Sequence, residues 1–165
     1  MKEVQKSYLK LLVLFLLALG YAVFNSHILS FFGTQNDHLV EVVLTAPNGD
    51  KVHVQAEMAV NDEARSRGLM YRREMAVNEG MLFVWKDTAK RSFWMKNTFI
   101  PLDMIFISGT NVVGVVQNAV PHSLEPRTVD AEANAVLEVN AGFTKMYNIT
   151  KGWKVSYAIS DVVVE

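Results

Sequence analysis

Three cations, one amide and one carboxylate are the residues best suited to chemistry in this sequence: Arg67, Arg72, Lys96, Asn97 and Asp103. Guanidinium groups together with an ammonium hold carboxylates, phosphates or acidic sugars through charge-assisted hydrogen bonds. These five form the candidate ligand-binding set. Lys96 and Asn97 precede Ile100-Pro101, whose restricted backbone is expected to aim them outward. The competing use of the charges is structural, because a charged residue inside an apolar run is usually kept there by a partner. Asp103 in Leu102-Asp-Met104 and Glu138 in Val136-Leu-Glu-Val139 are carboxylates of that kind. An Arg67–Asp103 ion pair is therefore expected, and Asp103 reads as a buried structural anion ahead of a general base or metal ligand.

Other chemistries find less support. The chain has no cysteine, which excludes disulfides, thiolate metal sites and thiol nucleophiles. His38, His53 and His122 show no metal-ligand spacing. Met70, Met75, Met81, Met95 and Met104 would suit Cu(I), but they are too scattered for a copper tract and are expected to fill core. No metal site and no cofactor is assigned. Ser92 and Ser123 lie in no nucleophile elbow, and Gly-rich phosphate loops and dinucleotide fingerprints are absent. Trp85 is expected in the core. Trp94 shares a strand face with Lys96 and is the better candidate to stack on a sugar ring.

The leader states where the protein goes. Lys2, Lys6 and Lys10 precede an apolar run from Leu11 to Phe24, and apolar character resumes through Phe32. A basic start followed by such a run reads as a secretion signal or a membrane anchor. The membrane is thus a partner through residues 11–32 if the leader is uncleaved. The domain beyond it is expected to be exported, periplasmic or otherwise extracytoplasmic. Of 16 basic and 17 acidic residues, Lys2, Lys6, Lys10 and Glu3 fall in the leader, leaving 13 against 16 and a net charge of −3. That balance argues against a nucleic-acid partner.

The elements that must position the candidate residues are short. Residues 1–33 form the apolar leader, 34–38 a polar linker and 39–165 one domain. Two Val-rich runs flank Pro47-Asn-Gly-Asp50, predicting a hairpin with Asn48-Gly49 in a type I′ turn. Asn61 caps a two-turn helix that ends at Gly68 and delivers Arg65 and Arg67. Residues 69–78 read as irregular. Strands are predicted over 80–85, 92–96, 102–107, 112–118, 135–139 and within 153–164. Phe143 to Ile149 is a helical turn or a strand. The fold class is mainly β: a compact single-domain β-sandwich or partly open barrel with one or two short helices, behind an N-terminal apolar helix.

Arg67-Gly-Leu-Met70, Arg72, Gly80-Met-Leu-Phe83, Phe93-Trp-Met-Lys-Asn-Thr98, Pro101-Leu-Asp103, Val136-Leu-Glu138 and Gly142 occur in that order. The ordered set closely resembles the family called domain of unknown function 192, over residues 39 to 160. The resemblance implies a compact, mainly β single domain, often behind a signal or anchor, and supplies no enzyme class. Ser108 and Trp153 depart from the family's pattern, both in turns.

The function expected is a small exported or membrane-tethered domain binding an anionic or carbohydrate-like ligand, or a protein partner, in the cell envelope. One alternative is an envelope hydrolase using Asp103 with His53 or His122, which requires hydrogen-bond reach between them. Another is an assembly factor with an exposed apolar patch around Phe99 and Ile100.

Overall fold

A computed structural model describes residues 39–158. The expected N-terminal apolar helix, the expected linker and the end of the chain after 158 lie outside the described residues. Seven strands and two short helices follow one another as β1 (Leu39–Thr45), β2 (Lys51–Ala59), α1 (Asp62–Arg67), β3 (Glu79–Lys90), β4 (Leu102–Ser108), β5 (Asn111–Ala119), β6 (Glu132–Asn140), α2 (Phe143–Met146) and β7 (Lys154–Tyr157). The sheet closes into a barrel in the order β1-β2-β3-β6-β4-β5-β7. Among the described residues no helix is long and apolar enough to cross a membrane.

Closure answers the choice between sandwich and open barrel. β7 pairs with β1 over Val42–Thr45 and with β5 at Asn111↔Lys154, a short seam extended by hydrogen bonds of Val112 with Gly152 and Trp153. Pairing is antiparallel except between β2 and β3. Those two run parallel because the connection through α1 and the irregular residues 68–78 carries the chain back to the start of the barrel before β3 begins.

Alternation along the strands divides the apolar residues into two cores. Val42, Leu44, Val54, Leu82, Ile105, Leu137 and Val155 point into the barrel, with Phe143, Ile149 and Trp153 beneath them. Met81, Phe83, Met104, Phe106 and Val136 point the other way, onto the outer face of β3, β6 and β4. Water is kept off that outer face by Leu69, Met95 and Ile100, from connecting segments. Of the five methionines expected in the core, Met81, Met95 and Met104 are buried and Met70 and Met75 are half-buried.

Three local expectations are corrected. The first hairpin does not use a type I′ turn, because only Gly49 has positive φ, at 93°. The Ala46 N–H reaches the Asp50 carbonyl at 2.8 Å and the Gly49 N–H the Ala46 carbonyl at 2.9 Å. Pro47 suits the first corner of an ordinary turn, and one left-handed glycine then restores the strand twist. Residues 92–96 are no strand; only Phe93 forms a bridge, to Arg127. Their in–out alternation survives, with Met95 buried and Trp94 and Lys96 exposed. Ile100 is buried, so the proposed apolar patch reduces to the edge of Phe99 beside Tyr71 and His122.

Gly80 shows how tightly the sheet is drawn around β6. A Cβ placed there would lie 2.5 Å from the carbonyl oxygen of Glu138 and 3.3 Å from Val139 and Val54 side chains. The first contact is with backbone, which cannot turn aside. Gly80→Ala is expected to cost about 1–3 kcal/mol through this overpacking, read as a lower urea midpoint at unchanged slope.

Candidate functional site

The outer face carries one ionisable row. Glu138 on β6 lies in register between Met81 on β3 and Met104 on β4. Its side chain is therefore flanked by thioethers on both neighbouring strands. Glu138 is 4% exposed, and among the described residues its carboxyl has no hydrogen-bond or charged partner. Burial alone pushes the carboxyl up from an ordinary 4.5 to about 8, since a charge there loses hydration with nothing to replace it. At neutral pH the group is mainly a neutral acid.

Above Glu138 the covering segments part to leave a cleft of about 120 Å³. One wall is the end of α1 and the chain leaving it, Arg67 to Met70; the other is the segment Ser92 to Thr98. Phe83, Trp85 and Phe93 supply aromatic sides. Helix α1 begins because the Asn61 side chain accepts from the Ala64 N–H at 2.8 Å, and it ends at Gly68. Gly68 has φ of 47°, and a Cβ there would press on the Phe83 ring at 3.2 Å. Glycine thus serves both the positive φ at the helix end and the close passage of the wall over Phe83.

The cations of the cleft differ in their ties. Arg65 is held in place: it donates to the carbonyls of Val60 and Val84 and pairs with Asp62. Its guanidinium also sits 5.6 Å from the Trp85 ring centre, with that of Arg91 at 4.4 Å. Trp85 is therefore a structural ring packed under two cations. Arg67 is exposed, and its guanidinium has no ion-pair or hydrogen-bond partner among the described residues. Lys96 is exposed at the opposite wall, its ammonium 5.2 Å from the ring of Trp94, which is 53% exposed. The mouth thus carries two available positive charges over a floor made by one buried acid.

The five residues singled out from the sequence are dispersed by this geometry. Arg67 and Lys96 line the cleft. Arg72 pairs with Glu57 on β2, fastening the irregular segment to the barrel. Asn97, left-handed at φ 54°, gives its amide to the Tyr71 hydroxyl at 3.0 Å, and its carbonyl accepts from the Tyr71 N–H at 2.8 Å. It clamps the two walls together from outside the cleft. Asp103 is fully buried on β4, away from Arg67: one oxygen accepts from the Asn118 N–H at 2.8 Å, the other from the Thr144 N–H at 2.9 Å and hydroxyl at 2.6 Å. The expected Arg67–Asp103 pair is replaced by this anchor for α2. Asp103 has no histidine among its hydrogen-bond partners. His53 bonds Glu41 at 3.0 Å and the His122 ring packs on Phe99 at 5.1 Å. Among the described residues no three His, Asp or Glu groups gather as metal ligands would.

Glu138 is the residue sequence reasoning undervalued. It stands as a charge inside Val136-Leu-Glu-Val139, where a partner is expected, and among the described residues no cation pairs with it. What no spacing rule shows is that Arg67-Gly-Leu-Met70, Gly80-Met-Leu-Phe83, Phe93-Trp-Met-Lys96 and Val136-Leu-Glu138 all meet around one carboxyl.

Fold and site define a closed β-barrel domain with a covered outer face and a small polar cleft through the cover. By its sequence the chain belongs to the domain of unknown function 192 family (DUF192, "Uncharacterized ACR"), whose signature matches residues 43–157. A solved structure from Sinorhizobium meliloti 1021, provisionally described as a transcription regulator, is similar at 38% identity with a TM-score of 0.70, covering 72% of this chain and 93% of that one. A protein of unknown function from Novosphingobium aromaticivorans DSM 12444 is similar at 35% identity with a TM-score of 0.69, covering 72% and 84%. The comparison with curated proteins finds no match.

Proposed function

We propose that the domain binds a small ligand with an anionic group in the cleft over Glu138. The anionic group lies between Arg67 and Lys96, and the rest of the ligand descends toward the buried acid. The observation that carries this reading is Glu138 itself, an ionisable side chain kept in an apolar row where Gln, Leu or Met would be less costly. Residues that lower stability without a structural return mark functional sites. The cleft of about 120 Å³ admits one head group or one ring and not a chain of sugars. A carbohydrate-like ligand would therefore enter by one acidic residue and lie across Trp94.

Binding is favoured over hydrolysis. Glycoside hydrolysis ordinarily needs two carboxyl groups flanking the bond, and Glu138 is the one carboxyl among the residues lining the cleft. Transcription regulation, the description carried by the Sinorhizobium relative, would need a basic face, whereas residues 34–165 carry 13 basic against 16 acidic residues. The basic, apolar leader supports a place of work outside the cytoplasm, in the envelope.

The test is a thermal-shift screen of the full chain against small carboxylates, phosphates, acidic sugars and amino acids, repeated on Arg67→Ala with Lys96→Ala. A hit should lose about a hundredfold or more in affinity in the double variant, as expected for removing two charge-assisted contacts worth about 1.5–3 kcal/mol each. A ligand bound equally well by the double variant would place binding elsewhere.

A further inference from the structure

The cleft separates opposite kinds of group. Two exposed cations, Arg67 and Lys96, stand at the mouth, and one buried acid stands at the floor. The third cation of the lining, Arg65, is already matched by Asp62 and two backbone carbonyls. On the neighbouring strands only Met81 and Met104 flank Glu138 in register. No cation lowers the Glu138 carboxyl, whose displacement has burial as its sole cause. The floor and the mouth are therefore independent recognition elements.

A neutral hydrogen-bond donor at the floor would be supplied by glutamine, which keeps the shape and carries no ionisation penalty. What glutamate adds is the ability to become an anion. That ability is useful at the floor of a cleft with aromatic sides when a cation arrives from outside, because among the described residues no cation pairs with Glu138. An ammonium satisfies the condition, and aromatic sides such as Phe83 and Phe93 suit it. The cations at the mouth call for an anion on the same molecule.

We infer that the ligand is a small zwitterion of amino-acid type, its ammonium on Glu138 and its carboxylate between Arg67 and Lys96. This rests on the cleft being the binding site. On binding, the O–H proton of Glu138 leaves to solvent, and the carboxylate so formed accepts N–H hydrogen bonds from the ammonium. One proton is released per ligand, and the ligand stays chemically unchanged. Arg65, Arg67 and Lys96 share the lining with Glu138, which is its one carboxyl.

The experiment is calorimetric titration of the full chain with a panel of free amino acids, in two buffers of different ionisation enthalpy. Each hit is paired with its N-acetyl analogue and its amine lacking the carboxylate. The inference expects at least one amino acid to bind with release of close to one proton at pH 6 to 7, tightening well over tenfold from pH 6 to pH 8. N-acetylation should weaken it at least tenfold, and Glu138→Gln should abolish both proton release and the pH dependence while keeping the fold. The inference is overturned if no amino acid binds, or if the N-acetyl analogue binds as well as its parent without proton release. In the latter case an Arg67- and Lys96-dependent affinity would leave the anion-binding cleft standing with Glu138 as a neutral donor. Binding of anions that ignores the Arg67→Ala, Lys96→Ala variant would remove the cleft reading too.

Discussion

Glu138→Gln is expected to stabilise the empty protein by about 3 kcal/mol at pH 7, at about 1.4 kcal/mol for each unit by which the folded state holds its proton more tightly. The wild-type carboxyl titrates near 4.5 when unfolded and near 8 when folded. Below 4.5 both states are protonated and Glu138 imposes no penalty. Between 4.5 and about 8 the unfolded chain ionises while the folded one keeps its proton, so stability falls as pH rises. Above about 8 both states are ionised and the penalty is constant. The variant has no such group, so its advantage should be small at pH 4.5, grow through neutrality and level off beyond pH 8. Urea unfolding of both proteins from pH 4.5 to 9 measures the difference directly. An advantage that does not grow across that range would mean the carboxyl is solvated in the folded protein. A gain in stability joined to a loss of ligand is what a residue retained for function should show.

Asp103→Ala is expected to act in the opposite sense, destabilising the domain by about 3–5 kcal/mol, because it strands three donors at once, two of them buried. The Asn118 N–H, the Thr144 N–H and the Thr144 hydroxyl all end on this carboxylate. Thr144 is buried at the start of α2, whose N-cap, Gly142, offers no side chain. With four residues, α2 has little stability of its own; Asp103 holds it against the barrel end. Conservative Asp103→Asn should retain part of the network and lose less. The measurement is the denaturation midpoint of both variants, together with hydrogen exchange at Thr144 and Ile149. The Ile149 N–H is tied to the Thr144 carbonyl at 2.8 Å and should lose protection together with it. Asp103→Ala with wild-type stability would contradict the structural assignment and reopen a catalytic one.

The two substitutions separate two carboxylates that look alike in sequence. Asp103 and Glu138 both interrupt apolar runs, and both were candidates to neutralise an arginine. The strand register distinguishes them. Asp103 pairs with Val139 and Glu138 with Met104, so they point to opposite sides of the same sheet. Asp103 turns toward the interior side at the barrel end, where α2 and the end of β5 present donors. Glu138 turns to the outer face, where its strand neighbours present thioethers.

Much was legible from local chemistry alone. The β-rich class, the helix capped by Asn61 and stopped by Gly68, the strands through Gly80 and Leu102, and the turn at Ser108-Gly109 follow from residue type and nearest neighbours, because capping, turn geometry and alternation act within a few residues. The core role of Met81, Met95 and Met104 was legible in the same way. Tertiary structure alone decided how far-separated charges are matched. Arg72 found Glu57 across 15 residues, Asp103 found Thr144 across 41, and Arg67 and Lys96 were left free at the mouth of a cleft floored by Glu138. Charge pairing depends on which side of a closed sheet each residue faces, and that depends on the register of strands distant in sequence.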